Sequence, residues 1–146
     1  MREVPDALIV VVHTFAHAVG VLRAAARAGR PVILLSAPDA GIYAGPGWFA
    51  ALAEAARQAV TDAHFSVLLD CGDRPGAALG AIRAQIEAVT FTGRADVARR
   101  LADIASQSGV RLVTQRPAAD LDLGDSFFAS ETESEAVCTQ IFTPQS

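Results

Sequence analysis

The residues best suited to chemistry form the sequence Asp70-Cys71-Gly72-Asp73. Asp70 can act as a base or bind a metal, and Cys71 can supply a sulfur ligand. Because adjacent residues on a strand point to opposite faces, only one of the two faces a given pocket unless Gly72 kinks the chain. Burial as a small hydrophobe is the commoner fate of a free cysteine such as Cys71, and Asp73 is more simply a helix cap. We expect Asp70 to be the catalytic candidate, and Cys71 to be a metal ligand only if a metal is bound.

Further polar residues follow other apolar segments of the chain. In parallel α/β sheets, functional groups gather at the carboxyl ends of the strands, although strand ends are also polar because the chain leaves the core there. The candidates for ligand binding at these ends are His13, Ser36, Arg94 and Gln115. His13 and His17 have the spacing of a helical metal-binding pair, but His13 falls at a strand end and the motif's glutamate is missing. We therefore expect no metal at this pair.

Two alternating patterns predict the elements that position these residues. Nearly continuous apolar runs indicate five buried strands, at residues 6–13, 31–37, 65–70, 88–92 and 110–114. Helical periodicity with glycine, proline or acidic end signals predicts four helices, at residues 15–28, 48–63, from 75 onward, and 96–108.

This alternation predicts an α/β fold with a five-stranded parallel sheet and βα repeats. The sequential order 1-2-3-4-5, which gives a half-barrel, is the first expectation. A flavodoxin-like three-layer sandwich with the order 2-1-3-4-5 has the same sequence of elements and is the alternative.

Charge divides the chain into a nearly neutral body and an acidic tail. Residues 1–116 carry twelve basic and ten acidic residues, whereas residues 117–146 carry six acidic residues and no basic one. We expect an α/β domain over 1–116 and a C-terminal tail over 117–146 that is partly disordered or docked through Ile141 and Phe142. Neither part has the dense basic stripe typical of nucleic-acid binding.

Composition excludes several classes of mechanism. All twelve basic residues are arginine, so no step in this chain can use a lysine amine, as in Schiff-base chemistry, pyridoxal phosphate anchoring or a P-loop. The two cysteines, Cys71 and Cys138, do not make a disulfide framework. Because no apolar run approaches the roughly 20 residues of a membrane span and the N-terminus lacks an apolar leader, we expect a cytoplasmic protein without membrane contacts.

Several stretches together resemble the N-terminal half of the class II, metal-dependent fructose-bisphosphate aldolases. They are residues 24–36, residues 39–45, and residues 68–73 followed by residues 81–84 and 89–93. The motif at residues 70–73 with the helix after it is the most specific part. The resemblance covers residues 10–116 and implies a βα-barrel ancestry.

The resemblance also assigns roles at the motif. In the family, the aspartate at the position of Asp70 transfers a proton and the following histidine binds zinc, but position 71 here is cysteine. The family's fifth-strand glutamate falls near Gln115, and an amide is a poorer ligand than a carboxylate. The family's remaining zinc histidines lie on later strands that these 146 residues do not include. The resemblance thus implies a degenerate, truncated relative.

Three functional hypotheses follow, and the sequence leaves open whether the protein is an enzyme. The first is an aldolase-derived domain without aldolase activity or cofactor that binds a small ligand at the strand carboxyl ends. The second is a zinc-dependent lyase acting on a carbonyl substrate, with Asp70 as base and Cys71 as ligand. The third is a protein-interaction module whose acidic tail contacts a partner.

Because five strands cannot close a barrel that needs about eight, open edges predict a homodimer or higher homo-oligomer.

Overall fold

The computed structural model describes residues 7–143, which form a six-stranded parallel sheet with helices between its strands. The strands are β1 (Leu8–Val11), β2 (Val32–Leu35), β3 (Phe65–Asp70), β4 (Ala88–Thr90), β5 (Arg111–Val113) and β6 (Leu121–Asp122). The helices are α1 (Phe15–Ala28), α2 (Ala40–Tyr43), α3 (Pro46–Ala59), α4 (Pro75–Arg83), α5 (Ala95–Ser108) and α6 (Glu131–Phe142). A 3₁₀ turn at Leu123–Ser126 follows β6.

The strand order is β5-β4-β3-β2-β1-β6. The parallel α/β fold and the sequential order of the first five strands are confirmed, whereas the flavodoxin-like order is wrong. The expected count of five strands is also wrong, because β6 pairs with β1 through Val10 and Val11. Since β5 and β6 end the order, the described strands do not form a closed barrel.

The chain packs as two compact units, and the described part of the first comprises residues 36–51 and 67–117. In this unit β3, β4 and β5 pair in register, with Asp70 beside Thr90 and Thr90 beside Val113. Helices α4 and α5 pack against each other and on β4 and β5. Their inward residues Ile82 and Leu101 are buried, as the helical periodicity predicts.

The described part of the second unit comprises residues 7–35, 52–66 and 118–143. Here α1 packs against α6, and they approach most closely at Gly20, where a Cβ would lie 2.5 Å from the Ser134 Cβ. A capping box between Ser130 and Glu133 begins α6, and Phe142 at its end is fully buried. Residues 118–143 are therefore part of this unit's packing.

Helix ends follow the glycine signals at two positions. Gly29 and Gly109 end α1 and α5 with φ of 64° and 73°, left-handed conformations that glycine adopts without steric cost. The interpretation of Asp73 as a cap is wrong, because Arg74 takes the N-cap position of α4 and makes no side-chain cap hydrogen bond.

Within residues 7–143, every helix is too short or too polar to cross a membrane.

Candidate functional site

Asp70, the last residue of β3, is almost completely buried, and protein donors occupy both of its carboxylate oxygens. Oδ1 accepts hydrogen bonds from the backbone N–H of Gly72 at 2.8 Å and of Asp39 at 3.3 Å. Oδ2 accepts a hydrogen bond from Arg116 Nη1 at 2.8 Å, which makes an ion pair. The carboxylate therefore joins three separate segments of the first unit.

The chain around Asp70 is shaped to make these contacts. Gly72 has φ of 57°, and a Cβ there would overlap the Asp39 carboxylate, so only glycine fits. Asp39 itself has φ of 62°, which is uncommon for a residue with a side chain. Ser36 Oγ accepts the Asp70 N–H at 2.9 Å and donates to the Ala37 carbonyl at 3.0 Å. Ser36 thus supports the position of Asp70 from inside the core.

Cys71 lies fully buried beside Gly41, where a Cβ would come within 2.5 Å of the Cys71 sulfur. Burial, together with the nearby charge of Asp70, raises the pKa of the Cys71 thiol to about 12. The side chain is thus a protonated thiol at neutral pH, whereas a zinc ligand and a nucleophile are thiolates. Within the described residues, no group of three or more His, Cys, Asp and Glu side chains is arranged to hold a metal ion. Zinc therefore does not fit the surroundings of Cys71.

The other predicted residues of the first unit lie outside the Asp70 hydrogen bonds. Arg94 is exposed before α5 and pairs with Asp96 through hydrogen bonds of 3.1 and 2.9 Å. Gln115 is exposed in the turn after β5. Its neighbour Arg116 reaches Asp70 instead. Arg116 lies with Gln115 at the end of the fifth predicted strand, which was the signal for it, but it was not among the predicted site residues.

His13 belongs to the second unit and forms a pair with Asp122. The distance from His13 Nε2 to Asp122 Oδ1 is 2.7 Å, and the same oxygen accepts the Gly124 N–H at 2.8 Å. A Cβ at position 124 would lie 2.9 Å from His13 Nε2, so the pair needs glycine there. The two partners are 109 residues apart, and no local sequence pattern connects them.

His17 supports this pair from the core of the second unit. Its ring is fully buried; Nδ1 accepts the His13 N–H at 3.1 Å and Nε2 lies 2.9 Å from the Ser126 carbonyl. Because a carbonyl and an N–H face the two nitrogens, the proton of neutral His17 lies on Nε2. Burial lowers the pKa of His17 below 6.5. His17 is thus a neutral link between the start of α1 and the 3₁₀ turn.

Two phenylalanines border the histidines. The Phe127 ring centroid is 6.2 Å from the centroids of both His13 and His17, and 5.2 Å from that of Phe128. Phe127 is half-exposed and Phe128 is 95% exposed. The second unit therefore presents an imidazole, a carboxylate and two accessible aromatic rings in one place.

No protein-family profile and no curated protein matches this sequence. Among solved structures, the chain is similar to a Coccidioides immitis protein assigned as a fructose-1,6-bisphosphate aldolase, with a TM-score of 0.60 and 18% identity. The match covers 73% of this chain but only 40% of that protein, so the chain spans less than half of its length. At this identity the likeness concerns the fold alone. The chain therefore has an aldolase-like α/β fold.

Proposed function

We propose that this chain is an aldolase-like domain that does not catalyse aldol cleavage and that binds a small anionic ligand at the strand carboxyl ends of the first unit. The absence of aldol cleavage is proposed because the Asp70 carboxylate accepts hydrogen bonds from the protein itself. A general base needs a lone pair directed at the substrate proton. The hydrogen bonds from Gly72, Asp39 and Arg116 take three of the roughly four acceptor positions of the Asp70 carboxylate, and Asp70 is only 4% exposed, so little acceptor capacity is left for a substrate.

The ligand position is supported by two loops that lie side by side. The Thr92 N–H donates to the Gly72 carbonyl at 2.8 Å, which joins the loop before α4 to the loop before α5. Each loop ends in an exposed arginine, Arg74 or Arg94, at a helix start that no side chain caps. Guanidinium groups and helix N-termini both favour anions.

A buried hydroxyl near these loops also lacks a partner. Thr90 Oγ1 is inaccessible to solvent and makes no hydrogen bond within the described residues. Thr90 lies in register with Asp70 on the neighbouring strand, so the two side chains share a face of the sheet. Because an unpaired buried hydroxyl is costly, Thr90 supports a polar ligand at this end of the strands.

The catalytic part is tested by measuring cleavage of fructose 1,6-bisphosphate, with and without added zinc. We expect no rate above the blank in either case. Zinc-dependent cleavage that is lost in Asp70→Asn would contradict the proposal.

The binding part is tested by titrating fructose 1,6-bisphosphate into labelled protein and following the backbone amide resonances. We expect shifts concentrated at residues 72–76 and 92–96, and affinity about tenfold weaker in Arg94→Gln, which loses a charge-assisted contact. Arg99→Gln is the matched control, because Arg99 is exposed on the same helix beyond its first turn. Equal affinity in both variants, or shifts elsewhere only, would contradict this site.

The homo-oligomer expected from the sequence is likewise a proposal. It is supported by β5, because β5 is an edge strand of the sheet and its residues are only half-buried. Light scattering tests it: we expect at least twice the 15.2 kDa chain mass, and a mass of 15.2 kDa would contradict it.

A further inference from the structure

We propose that His13 and Asp122 form an acid–base dyad in the second unit, in which His13 Nδ1 takes a proton from water that attacks an uncharged, apolar-faced substrate. This inference is independent of the ligand site proposed above, since none of its residues belongs to the first unit.

The two ring nitrogens of His13 have different surroundings. Nε2 is engaged by Asp122 at 2.7 Å. Nδ1 has no hydrogen-bond partner within residues 7–143, and the side chain is 18% exposed, so solvent or a small molecule can reach it. A histidine with one nitrogen bound to a carboxylate and the other open has the arrangement of a general base and its orienting group.

Neighbouring residues hold the His13–Asp122 pair in place. The Gly124 N–H fixes the Asp122 carboxylate, and the absence of a Cβ at Gly124 allows the imidazole to approach. On the other side, His17 Nδ1 holds the backbone N–H of His13. Preorganised supports of this kind reduce the reorganisation that proton transfer requires.

The residues around His13 indicate the class of substrate. Phe127 and Phe128 provide an accessible aromatic surface beside the imidazole. The charged residues of positions 118–143 are all acidic, which disfavours an anionic substrate here. Among residues 7–143, the titratable groups in contact with His13 are His17 and Asp122. The surroundings thus fit a neutral compound with an aromatic or apolar part, such as an aryl ester.

With an aryl ester, the step balances as a hydrolysis. His13 Nδ1 accepts a proton from water while the water oxygen bonds to the ester carbonyl carbon. The bond from that carbon to the aryl oxygen then breaks, and the phenolate leaves with the electron pair. The proton on His13 passes to solvent, and Asp122 stabilises the transient imidazolium as a positioning residue.

The test uses the full chain and p-nitrophenyl acetate, a neutral aryl ester. We expect His13→Gln to lower kcat/KM at least tenfold, as loss of a general base does. His64→Gln is the control, because His64 is an exposed histidine outside the dyad; its rate should stay within about twofold of the parent chain. Circular dichroism confirms that each variant is folded. A His13→Gln rate equal to the parent rate, or loss of activity in His64→Gln, would overturn the proposal.

Asp122→Asn tests the positioning role even if His13→Gln fails to fold. The asparagine keeps an oxygen for the Gly124 N–H but removes the charge. We expect kcat to fall about tenfold with little change in KM, because the transient imidazolium loses the carboxylate that stabilises it. An unchanged kcat would overturn the dyad. The parent rate should also be lower in D₂O, and equal rates in H₂O and D₂O would overturn general-base catalysis.

Discussion

Two of the described pairs between a nitrogen-bearing side chain and a carboxylate have almost the same distance but different surroundings. Arg116 and Asp70 meet at 2.8 Å in the first unit, and their side chains are 25% and 5% exposed. His13 and Asp122 meet at 2.7 Å in the second unit, and theirs are 18% and 54% exposed. The distance between the two partners therefore does not distinguish a structural pair from a reactive one. The distinguishing property is whether a side-chain atom of the pair can still make a hydrogen bond to another molecule.

The pair that lies in a motif and the pair with open hydrogen-bonding capacity are different pairs in this molecule. Asp70 stands in the part of the sequence that most resembles a known catalytic motif, yet its oxygens are bonded to the protein's own donors. His13 and Asp122 belong to no motif, yet they leave one imidazole nitrogen open beside exposed aromatic rings. We expect stability to depend most on the first pair and reactivity most on the second.

The largest expected effect is that of Arg116→Leu. This change leaves the Asp70 carboxylate buried without its counter-ion, so we expect the free energy of unfolding to fall by about 3–5 kcal/mol. Urea denaturation measures it. The double variant Asp70→Asn/Arg116→Leu, which removes the buried charge as well, should recover part of the loss. If Arg116→Leu lowered the free energy of unfolding by less than about 1 kcal/mol, the ion pair with Asp70 would not be important for the stability of the fold.

Gly20→Ala tests how closely α1 packs on α6 in the second unit, which also holds the His13–Asp122 dyad. A Cβ at position 20 would lie 2.7 Å from the Glu131 carbonyl as well as against Ser134, so α6 must shift. We expect a loss of about 1–3 kcal/mol in unfolding free energy from overpacking. Gly80→Ala is the control: a Cβ there meets nothing within 4 Å, and alanine in a helix should add about 0.5–1 kcal/mol. Equal stability of the two variants would contradict the close packing of α1 on α6.

The pH dependence of stability tests the buried histidine behind the dyad. The pKa of His17 is lowered below 6.5 in the folded protein by burial, so the unfolded chain binds a proton first as the pH falls. The contribution of His17 is therefore fully present above pH 6.5 and is lost as the pH falls below it, with a slope of at most about 1.4 kcal/mol per pH unit. Urea midpoints at several pH values measure this, and His17→Gln should flatten the dependence whereas His64→Gln should not. An unchanged slope in His17→Gln would show that another group causes it.

The sequence predicts the parts of this molecule that local patterns determine. Apolar runs located β1 to β5, and Gly29 and Gly109 marked two helix ends, because burial on both faces and left-handed turns restrict residue type directly. The two-residue strand β6 was missed because so short a pairing has no periodicity.

The site partners were harder to predict, because they depend on how distant segments converge. Arg116 and Asp70 are 46 residues apart, and His13 and Asp122 are 109 apart. A strand-end position indicates that a side chain can enter a polar cluster, but not which donor reaches which oxygen. For the same reason the sequence suggested Arg94 and Gln115 at these ends, whereas the structure brings Arg116 to Asp70.

The smallest expected effect is that of Arg94→Leu, the same replacement in a solvated pair. Arg94 and Asp96 meet at 2.9 Å, nearly the distance of the Arg116–Asp70 pair, but their side chains are 80% and 44% exposed. Water and salt screen such a pair and rehydrate Asp96 when its partner is removed, so we expect a loss below about 1 kcal/mol. Urea denaturation at low and high salt measures it beside Arg116→Leu, whose larger loss should persist at high salt because the pair is buried. If Arg116→Leu and Arg94→Leu lost equal stability, burial would not explain the difference between the Asp70 and Asp96 carboxylates.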